Sequence, residues 1–369
     1  MTAIIIGGSA AGLAAAIQLK RNMPGAQVII LERLEAAGKK LLATGNGRCN
    51  LTNIEADNYK EVSAFFNSLG LMLRNEDGRI YPYSLKAETA VSVLLAECER
   101  LKIEIITECT VEKIDPDLTV YTDRGIFSAD RVIVCAGGCA QKNLGSNGSG
   151  YALLRGLGHS VTPVYPALVQ LTSSSKYPRI IKGTRTKCRV SIEIDGRIEA
   201  EEYGEVLFTD YGLSGIAVMN LSHTVSQCFG EGKGGRCTAV LDLIPELDEA
   251  QVITHLENYG ALTGILGTKL SDIIMKQAGG DFEKAAKISK GWRLIITGTK
   301  GFDFAQITMG GIPLDEVDGF RSKKIPGLYI CGEILDRQFA CGGFNLDFAF
   351  HSGIAAANMI TEEYKNDKN

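Results

Sequence analysis

The sequence lacks the features of a membrane or secreted protein. It contains no run of about eighteen apolar residues, the length that a bilayer-spanning helix needs. Its N-terminus has neither a positively charged segment nor a signal cleavage site, and it enters a predicted strand at Ala3. These absences predict a cytoplasmic protein that does not bind a membrane.

The sequence also has little that would hold a metal ion or form a structural disulfide. Its ten cysteines include no Cys-x-x-Cys pair and no grouping with the four histidines, so no metal site is expected. Cys135 and Cys139 are separated by Ala-Gly-Gly, which indicates a backbone turn; a redox dithiol is the less favoured alternative. Disulfides are rare in cytosolic proteins, and most of these cysteines are interpreted as small buried hydrophobes.

Basic charge is not in excess. The chain has 39 Lys and Arg against 43 Asp and Glu, a net charge of −4, which gives no general attraction to nucleic acid. A small-molecule substrate is the expected partner, and the oligomeric state stays open. With 369 residues, of which 45% are hydrophobic, the chain is long enough for two or three lobes.

The first thirty-two residues follow the order strand, glycine turn, helix, strand and acid. Ala3 to Ile6 is apolar, the sequence GGSAAG follows, and Leu13 to Leu19 is helical in pattern. A second apolar strand, Val28 to Leu31, ends at Glu32. This order, with an acid about twenty residues after the last glycine, is typical of a dinucleotide-binding unit.

Each part of this unit has a physical role in holding a dinucleotide. The helix N-terminus supplies free N–H groups and a positive dipole end for a pyrophosphate, although Ser9 stands where a glycine is usual. Glu32 can accept hydrogen bonds from ribose hydroxyls and would repel a 2′-phosphate, which disfavours NADP here. The predicted contacts are Gly7, Ser9, Ala10, Ala11, Gly12, Glu32 and Arg33.

Two further segments favour FAD over NAD. Residues 38–53, GKKLLATGNGRCNLTN, combine three glycines, three cations and three amides, which suits a loop against a polyphosphate and a flavin ring; a mobile surface loop is the alternative. Near the other end, an apolar strand ends in Gly332-Glu333, whose acid can accept hydrogen bonds from a ribityl chain. The contacts predicted from residues 38–53 are Lys39, Lys40, Thr44, Gly45, Asn46, Gly47, Arg48, Cys49 and Asn50.

A glycine pair then opens the last helix of the chain. Its N-terminus would stabilise negative charge on a reduced flavin, with the N–H of Asn345 directed to the flavin pyrimidine. A strand from Arg131 to Cys135 also returns the chain to the nucleotide. The remaining predicted cofactor contacts are Val111, Ala136, Gly137, Gly138, Gly332, Glu333, Gly342, Gly343, Phe344 and Asn345.

These motifs, together with GEVLFTDYGLSG, GLYICGEILD and CGGFN, resemble the BaiN-type NAD(P)/FAD-dependent oxidoreductases, some of which are labelled aminoacetone oxidase family FAD-binding enzymes. The resemblance extends from residue 1 to about residue 360. More distantly, the Gly-Glu ending resembles flavoprotein subunits of the fumarate-reductase kind. The sequence departs from the family pattern at Ser9, Asn46 and Cys341.

The resemblance implies an α/β protein in which a Rossmann-like FAD-binding domain, built from both chain ends, is interrupted by a β-rich domain with a small helical subdomain. The Gly230–Gly235 cluster is interpreted as a loop and not as a second dinucleotide fold, so NAD(P)H would visit the flavin only transiently. The predicted divisions are 1–162 and 310–369 for the FAD-binding domain, and 163–309 for the insertion, with β-rich parts 163–245 and 292–309 and a helical part 246–291. Residues 56–100 are expected to form helical segments around a turn at 77–84. Residues 163–242 are expected to be mostly strands, with a hairpin turn at Asp195-Gly196.

The predicted function is that of an FAD-dependent oxidoreductase, with hydride transfer through flavin N5. Arg48 is the candidate for binding a carbonyl or carboxylate substrate; a pyrophosphate or structural contact is its alternative role. Tyr211 is the candidate proton donor, with packing as the alternative, and Cys49 is either a packed or a reactive thiol. The resemblance implies reduction of an activated C=C bond with NAD(P)H as donor.

Two other functions stay open at this point. One is an amine or aminoketone oxidase that passes electrons to oxygen. The other is a flavin redox sensor or an RNA-associated flavoprotein, although no nucleic-acid partner is expected. The RNA alternative would use a local basic run, which is otherwise interpreted as a solvated strand face: Arg179, Lys182, Arg185, Lys187 and Arg189.

Overall fold

The computed structural model describes residues 1–230 and 235–366. The centre of the Gly230–Gly235 cluster, for which a loop was predicted, therefore lies outside the described residues. The chain divides into two compact units. The first consists of Met1–Val164 with Ile307–Asn369, and the second is Tyr165–Gln306.

The regular elements alternate between helix and strand in the first unit and are mostly strands, then helices, in the second. The strands are β1 (Thr2–Ile6), β2 (Gln27–Leu31), β3 (Thr52–Asn53), β4 (Leu73–Glu76), β5 (Arg79–Pro82), β6 (Glu104–Ile106), β7 (Val111–Ile114), β8 (Thr119–Thr122), β9 (Gly125–Ser128), β10 (Arg131–Val134), β11 (Tyr165–Ala167), β12 (Leu171–Ser173), β13 (Arg185–Ile194), β14 (Arg197–Phe208), β15 (Gly212–Ser214), β16 (Cys237–Asp242), β17 (Trp292–Thr299), β18 (Ile307–Met309), β19 (Val317–Asp318), β20 (Arg321–Ser322) and β21 (Leu328–Ile330). The helices are α1 (Ala10–Asn22), α2 (Lys39–Ala43), α3 (Tyr59–Ser68), α4 (Ala87–Arg100), α5 (Ser149–Gly156), α6 (Tyr177–Ile180), α7 (Ile216–Gly230), α8 (Glu249–Tyr259), α9 (Thr268–Ala278), α10 (Phe282–Lys290) and α11 (Phe344–Asn366).

The first unit is built on a seven-stranded sheet that joins both ends of the chain. Its order is β19-β20-β21-β10-β1-β2-β6, and the five strands from β21 to β6 are parallel. Successive residues of these strands pack into two hydrophobic cores on opposite faces of the sheet. Ile5 and Ile133 lie in one core, and Ile4 and Val132 lie in the other. Burial on both faces explains the unbroken apolar strands in the sequence, since each such side chain contributes about 1.5–3 kcal/mol. The predicted Rossmann-type α/β fold is confirmed.

A β-hairpin lies between α3 and α4, where only helical segments around a turn were predicted. Strand β4 pairs with β5 across Asp77 and Gly78, and β3 pairs with the other edge of β5. Both turn residues have positive φ, 50° and 84°, as a two-residue hairpin turn requires. The expectation of helix was wrong because four-residue strands give too short an alternation to recognise.

The second unit is a closed barrel with helices packed on it. The barrel order is β12-β15-β14-β13-β16-β17, and Asp195-Gly196 forms the predicted turn between β13 and β14. Trp292 lies in its core, with its ring 5.6 Å from that of Phe208. Helix α7 falls in a region predicted to be mostly strands. Its many β-branched and apolar residues mimic a buried strand, whereas the buried positions Ala217, Val218, Leu221 and Val225 recur with helical spacing.

Candidate functional site

The turn between β1 and α1 is shaped to receive an anion. The Ser9 side chain makes no capping hydrogen bond to α1, so the N–H groups of the first turn are left for another acceptor. A Cβ at Gly12 would lie 1.9 Å from the carbonyl oxygen of Gly7, so only glycine permits this close packing of helix on turn. Gly7, Ser9, Ala10, Ala11 and Gly12 lie together as the motif predicts.

Glu32 holds the glycine turn from the end of β2. Its side chain is 9% exposed, its Oε2 accepts a hydrogen bond from the Gly8 N–H at 2.8 Å, and its Oε1 accepts one from the Leu34 N–H at 2.9 Å. Each carboxylate oxygen keeps a second lone pair for a ligand. Contact with a ribose stays a prediction.

The residues beside Glu32 tie neighbouring loops to the end of β2. The carbonyl oxygen of Glu32 accepts from the Cys109 N–H at 3.0 Å, which places the buried Val111 at the start of β7 nearby. Arg33 donates from Nη2 to the Gly145 carbonyl at 3.2 Å.

Lys40 connects three of the predicted segments. Its Nζ lies 2.8 Å from Oε2 of Glu333 and 3.1 Å from Oγ of Ser146, and its side chain is 15% exposed. The Glu333 Oε1 accepts from the Thr308 N–H at 2.9 Å. Thr308 Oγ1 in turn accepts from the N–H groups of Cys139, at 2.7 Å, and Ala140. The structure therefore brings Glu333, Lys40 and the loop containing Ala136, Gly137 and Gly138 to one place.

One detail of segment 38–53 differs from expectation. The segment begins with helix α2 and not with a loop. Lys39, on that helix, pairs with Glu35 at 2.7 Å, and its contact with the cofactor stays a prediction. Thr44 donates from Oγ1 to the Leu41 carbonyl and ends the helix.

The second half of this segment meets the start of α11. Asn53 donates from Nδ2 to the Gly342 carbonyl at 2.9 Å. Asn50 is 8% exposed, and its Oδ1 is buried without a hydrogen-bond partner. A buried amide oxygen normally accepts a hydrogen bond, so this atom is suited to accept one from a ligand. Together with the uncapped N-terminus of α1, it shows that the residues present fit a bound dinucleotide.

Asn345 uses its side chain for the protein itself. Its Oδ1 accepts from the Phe339 N–H at 3.0 Å, and its Nδ2 donates to the carbonyls of Phe339 and Ala340. Only its backbone N–H, in the first turn of α11 beside Phe344, is left for the predicted contact with a flavin.

Arg48 and Cys49, which are adjacent in sequence, have different environments. Arg48 is 41% exposed, pairs with Glu76 Oε2 at 3.2 Å and lies 4.7 Å above the ring centre of Tyr81. Cys49 is fully buried, and this burial raises the pKa of its thiol to about 11. Burial and the raised pKa favour the packed-thiol interpretation of Cys49, since a thiol that stays protonated at neutral pH is a poor nucleophile.

Cys135 and Cys139 are both free thiols. Burial raises the pKa of Cys139, which does not favour the redox alternative. Among the described residues, no group of three or more His, Cys, Asp or Glu could hold a metal ion, and no helix is long and apolar enough to cross a bilayer.

Tyr211 and the basic run lie in the second unit. The Lys300 Nζ lies 4.5 Å from the centre of the Tyr211 ring, and the role of Tyr211 as proton donor stays a prediction. Of the basic run, Arg185 pairs with Glu205 and Arg189 with Glu201, both on β14. Acidic residues of the neighbouring strand thus balance the positive charge of this exposed strand face, which agrees with its interpretation as a solvated face.

Sequence reasoning missed several residues of this site, which are Thr52, Ser146, Thr308 and Asp347. Their partners are distant in the chain, so spacing alone gives no signal for them; Thr52 and Asp347, for example, are 295 positions apart. Asp347 carried a weak local signal, because an acid in the first turn of a helix is favourable.

Comparison with known proteins adds the family. A model described as "HI0933-like protein Rossmann domain" matches residues 54–359. A 3-dehydro-bile acid delta(4,6)-reductase of Clostridium scindens is 38% identical and aligns with 97% of this chain and 98% of its own. A ribosomal RNA dihydrouridine synthase of Escherichia coli is 25% identical, with 97% of each chain covered.

A solved structure shows the same fold. The open conformation of a flavocytochrome c3 fumarate reductase matches with a TM-score of 0.50 and 15% identity, over 98% of this chain and 78% of that one. The resemblance to BaiN-type enzymes is confirmed, as is FAD as the cofactor. The chain belongs to the HI0933-like family of FAD-binding Rossmann proteins, and it is an FAD-dependent oxidoreductase.

Proposed function

We propose that this protein reduces a carbon–carbon double bond conjugated to a carbonyl group in a small organic substrate. The observation that carries the proposal is the 38% identity, over 97% of the chain, to a reductase of 3-dehydro-bile acid delta(4,6) bonds. In such a compound the double bonds at positions 4 and 6 are conjugated to the 3-oxo group. Hydride addition to a double bond of this kind places negative charge on the carbonyl oxygen.

The second relative acts on a bond of the same type. Dihydrouridine forms when hydrogen adds across the C5=C6 bond of uracil, which is conjugated to the C4 carbonyl. Two relatives that differ in substrate thus share one reaction class. This supports the reaction more strongly than it supports any particular substrate.

Different residues of this chain would hold successive parts of FAD, from the adenosine to the flavin ring. The N-terminus of α1 and the glycine turn would bind the pyrophosphate, and Glu32 the adenosine ribose. Glu333, with Lys40, would bind the ribityl region. Segment 45–50 and the start of α11 would surround the ring. When bound, FAD supplies the hydride, and NAD(P)H is the proposed donor that reloads it.

Arg48 would bind the substrate carbonyl. Its guanidinium has five N–H donors, its side chain is 41% exposed, and the contact with Glu76 is made by Nη1. A cation at the carbonyl oxygen stabilises the charge that develops there during hydride addition. Tyr211, whose hydroxyl can donate a proton, is the proposed source of the proton that completes the reduction.

The proposal is tested with matched substrates. The holoprotein is incubated anaerobically with NADH or NADPH and with a cyclic enone, the same skeleton with an isolated double bond, or the saturated ketone. Mass spectrometry should show that only the enone gains two hydrogens. Consumption of the isolated alkene at the same rate would contradict the proposal, and bleaching by amines followed by oxygen uptake would favour the oxidase.

The role of Arg48 has its own variant. Arg48→Met should lower kcat/KM for the enone about 10²–10³-fold, the usual cost of losing one charge-stabilising donor. Arg74→Met is the matched control, because Arg74, like Arg48, lies over a tyrosine ring at the β4–β5 hairpin. Its guanidinium carbon is 4.4 Å from the centre of the Tyr83 ring. Equal losses of kcat/KM in both variants would show that Arg48 acts only by stabilising the hairpin.

A second candidate substrate is uridine in RNA, favoured by the 25% identity to the dihydrouridine synthase. The net charge of −4 and the paired basic run argue against an RNA surface. Dihydrouridine formed in added ribosomal RNA, with no turnover of small enones, would establish this alternative.

A further inference from the structure

A carboxylate lies buried in the first turn of α11. Asp347 is 2% exposed, its Oδ1 accepts a hydrogen bond from Thr52 Oγ1 at 2.5 Å, and its Oδ2 accepts one from Asn58 Nδ2 at 3.0 Å. None of the roles assigned above uses this group. A buried carboxylate is costly, so its presence calls for a physical account.

The hydrogen bonds suit the ionised form. Asn58 Nδ2 can only donate, so Oδ2 accepts from it, and the Thr52 hydroxyl can donate to Oδ1. Burial raises the pKa of Asp347, while the bonds from Thr52 and Asn58 and the nearby His351 oppose that rise. The helix N-terminus also favours a negative charge at this position.

Asp347 adjoins the place proposed for the flavin ring. Its N–H donates to the Gly343 carbonyl at 2.9 Å. Gly343 has a φ of 104°, and a Cβ there would lie 2.7 Å from the Asn50 Oδ1, the buried oxygen that has no partner. Asp347 is thus linked through Gly343 to the part of the chain whose buried oxygen would face the ring.

The position has an electrostatic consequence. A helix N-terminus stabilises the negative charge that a flavin gains on reduction, which raises its reduction potential. A carboxylate in the same first turn has the opposite effect, because like charges in a poorly solvated site repel strongly. A lower potential makes reduced FAD a stronger hydride donor.

We propose that Asp347 is a positioning residue that lowers the reduction potential of bound FAD and so favours hydride delivery to the substrate double bond. The inference depends on the proposed function, since it assumes the flavin ring at the start of α11.

The test is the midpoint potential of the holoprotein, measured by equilibration with reference dyes. Asp347→Asn should raise it, with at least a tenfold gain in the equilibrium constant for reduction, which is about 30 mV for a two-electron couple. Flavin reduction by NADH should become faster and reoxidation by the enone slower. A merely structural defect would slow both steps.

Glu363→Gln is the matched control. Glu363 lies on the same helix, sixteen residues or about 24 Å further along, and accepts a hydrogen bond from the Tyr329 hydroxyl at 2.6 Å. Its removal takes away the same charge and should leave the potential unchanged. An equal rise in this variant would mean that only net charge matters and would overturn the proposal.

One variant that keeps the charge covers the case in which Asp347→Asn does not fold. Asp347→Glu should leave the potential at or below the wild-type value, and a rise in this variant would overturn the proposal. An unchanged potential in an Asp347→Asn protein that retains FAD would do the same, with the proposed function intact. If instead wild-type protein reduces no enone, the proposed function fails, whatever the potentials are.

Discussion

At the scale of single residues, the loop after α2 shows why its unusual sequence is tolerated. Gly45, Asn46 and Cys49 all have left-handed backbone, with φ of 57°, 56° and 57°. Asn46 is one of the three positions at which the sequence departs from the pattern of the family it resembles. Asparagine is among the few other residues that adopt this conformation readily, so the departure fits the backbone.

The first prediction concerns Asn46. Asn46→Val should lower the free energy of unfolding by about 1–2 kcal/mol, because a β-branched residue is strained in left-handed backbone. Asn46→Gly should change it by less than about 1 kcal/mol. Urea denaturation of both variants checks this, and equal stability of the valine variant and the wild type would contradict the assigned backbone.

The second prediction concerns Glu32. Glu32→Ala should weaken FAD binding about 10- to 100-fold, since charged hydrogen bonds are worth about 1.5–3 kcal/mol. Fluorescence titration of apoprotein with FAD measures the affinity. Glu35→Ala is the control, because Glu35 lies three residues further along, is 62% exposed and forms an ion pair with Lys39 on the protein surface. Unchanged affinity in Glu32→Ala would show that the ribose lies elsewhere.

The sequence predicts the position of a residue that depends on its neighbours in the chain. It does not predict which residues pair when the two are distant in the chain. The position of Glu32 at the end of β2 follows from the strand pattern and the spacing to Gly12. The pairing of Lys40 with Glu333, 293 positions away, depends on the tertiary fold. The motif marked both residues as cofactor contacts, but nothing in it indicated that they meet.

At the scale of elements, one polar cluster ties the end of α5 to the β19–β20 hairpin. Glu316 accepts from Lys324 at 2.8 Å and Ser160 at 2.6 Å, and it lies 2.7 Å from Nδ1 of His159. Burial alone would raise the pKa of Glu316, but these hydrogen bonds outweigh it and lower the pKa from 4.5 to about 2. The cluster therefore stabilises the fold while Glu316 is ionised.

The third prediction follows from the sign of that shift. A depressed carboxyl pKa stabilises the folded state above pH 4.5, and this stability is lost as the pH falls from 4.5 towards about 2. Glu316→Gln should therefore be less stable than wild type at pH 7, with the difference narrowing through that acid range. Melting temperatures across pH 7 to 3 check this; Asp315→Asn, which leaves the cluster intact, should keep the wild-type profile. A constant difference would contradict the cluster's role.

Element-level prediction followed the strength of the periodic signal. The strands β1, β2 and β10 each contain an unbroken run of apolar residues and were placed correctly, as was the turn at Asp195-Gly196. The short strands β4 and β5 and helix α7 were missed. Four residues carry too little pattern, and in α7 the apolar run from Ile216 to Met219 conceals the helical period that Asn220, His223 and Gln227 mark.

At the scale of the whole molecule, the central sheet unites segments separated by almost the full chain. Strand β21 lies beside β10, which lies beside β1, so Gly332-Glu333 and the β1–α1 turn both follow the carboxyl ends of neighbouring parallel strands. Ligands of open α/β sheets bind at that edge. The family motifs predicted this arrangement of the sheet. The barrel of the second unit was predicted only as a β-rich insertion.

The most direct test of the central claim is an anaerobic single turnover. The holoprotein is reduced with one equivalent of NADH or dithionite and then mixed with a conjugated enone while the visible flavin absorbance is followed. The account predicts that the oxidised spectrum returns without oxygen and that one equivalent of saturated ketone forms. A flavin that stays reduced until oxygen is admitted, with the enone unchanged, would contradict it.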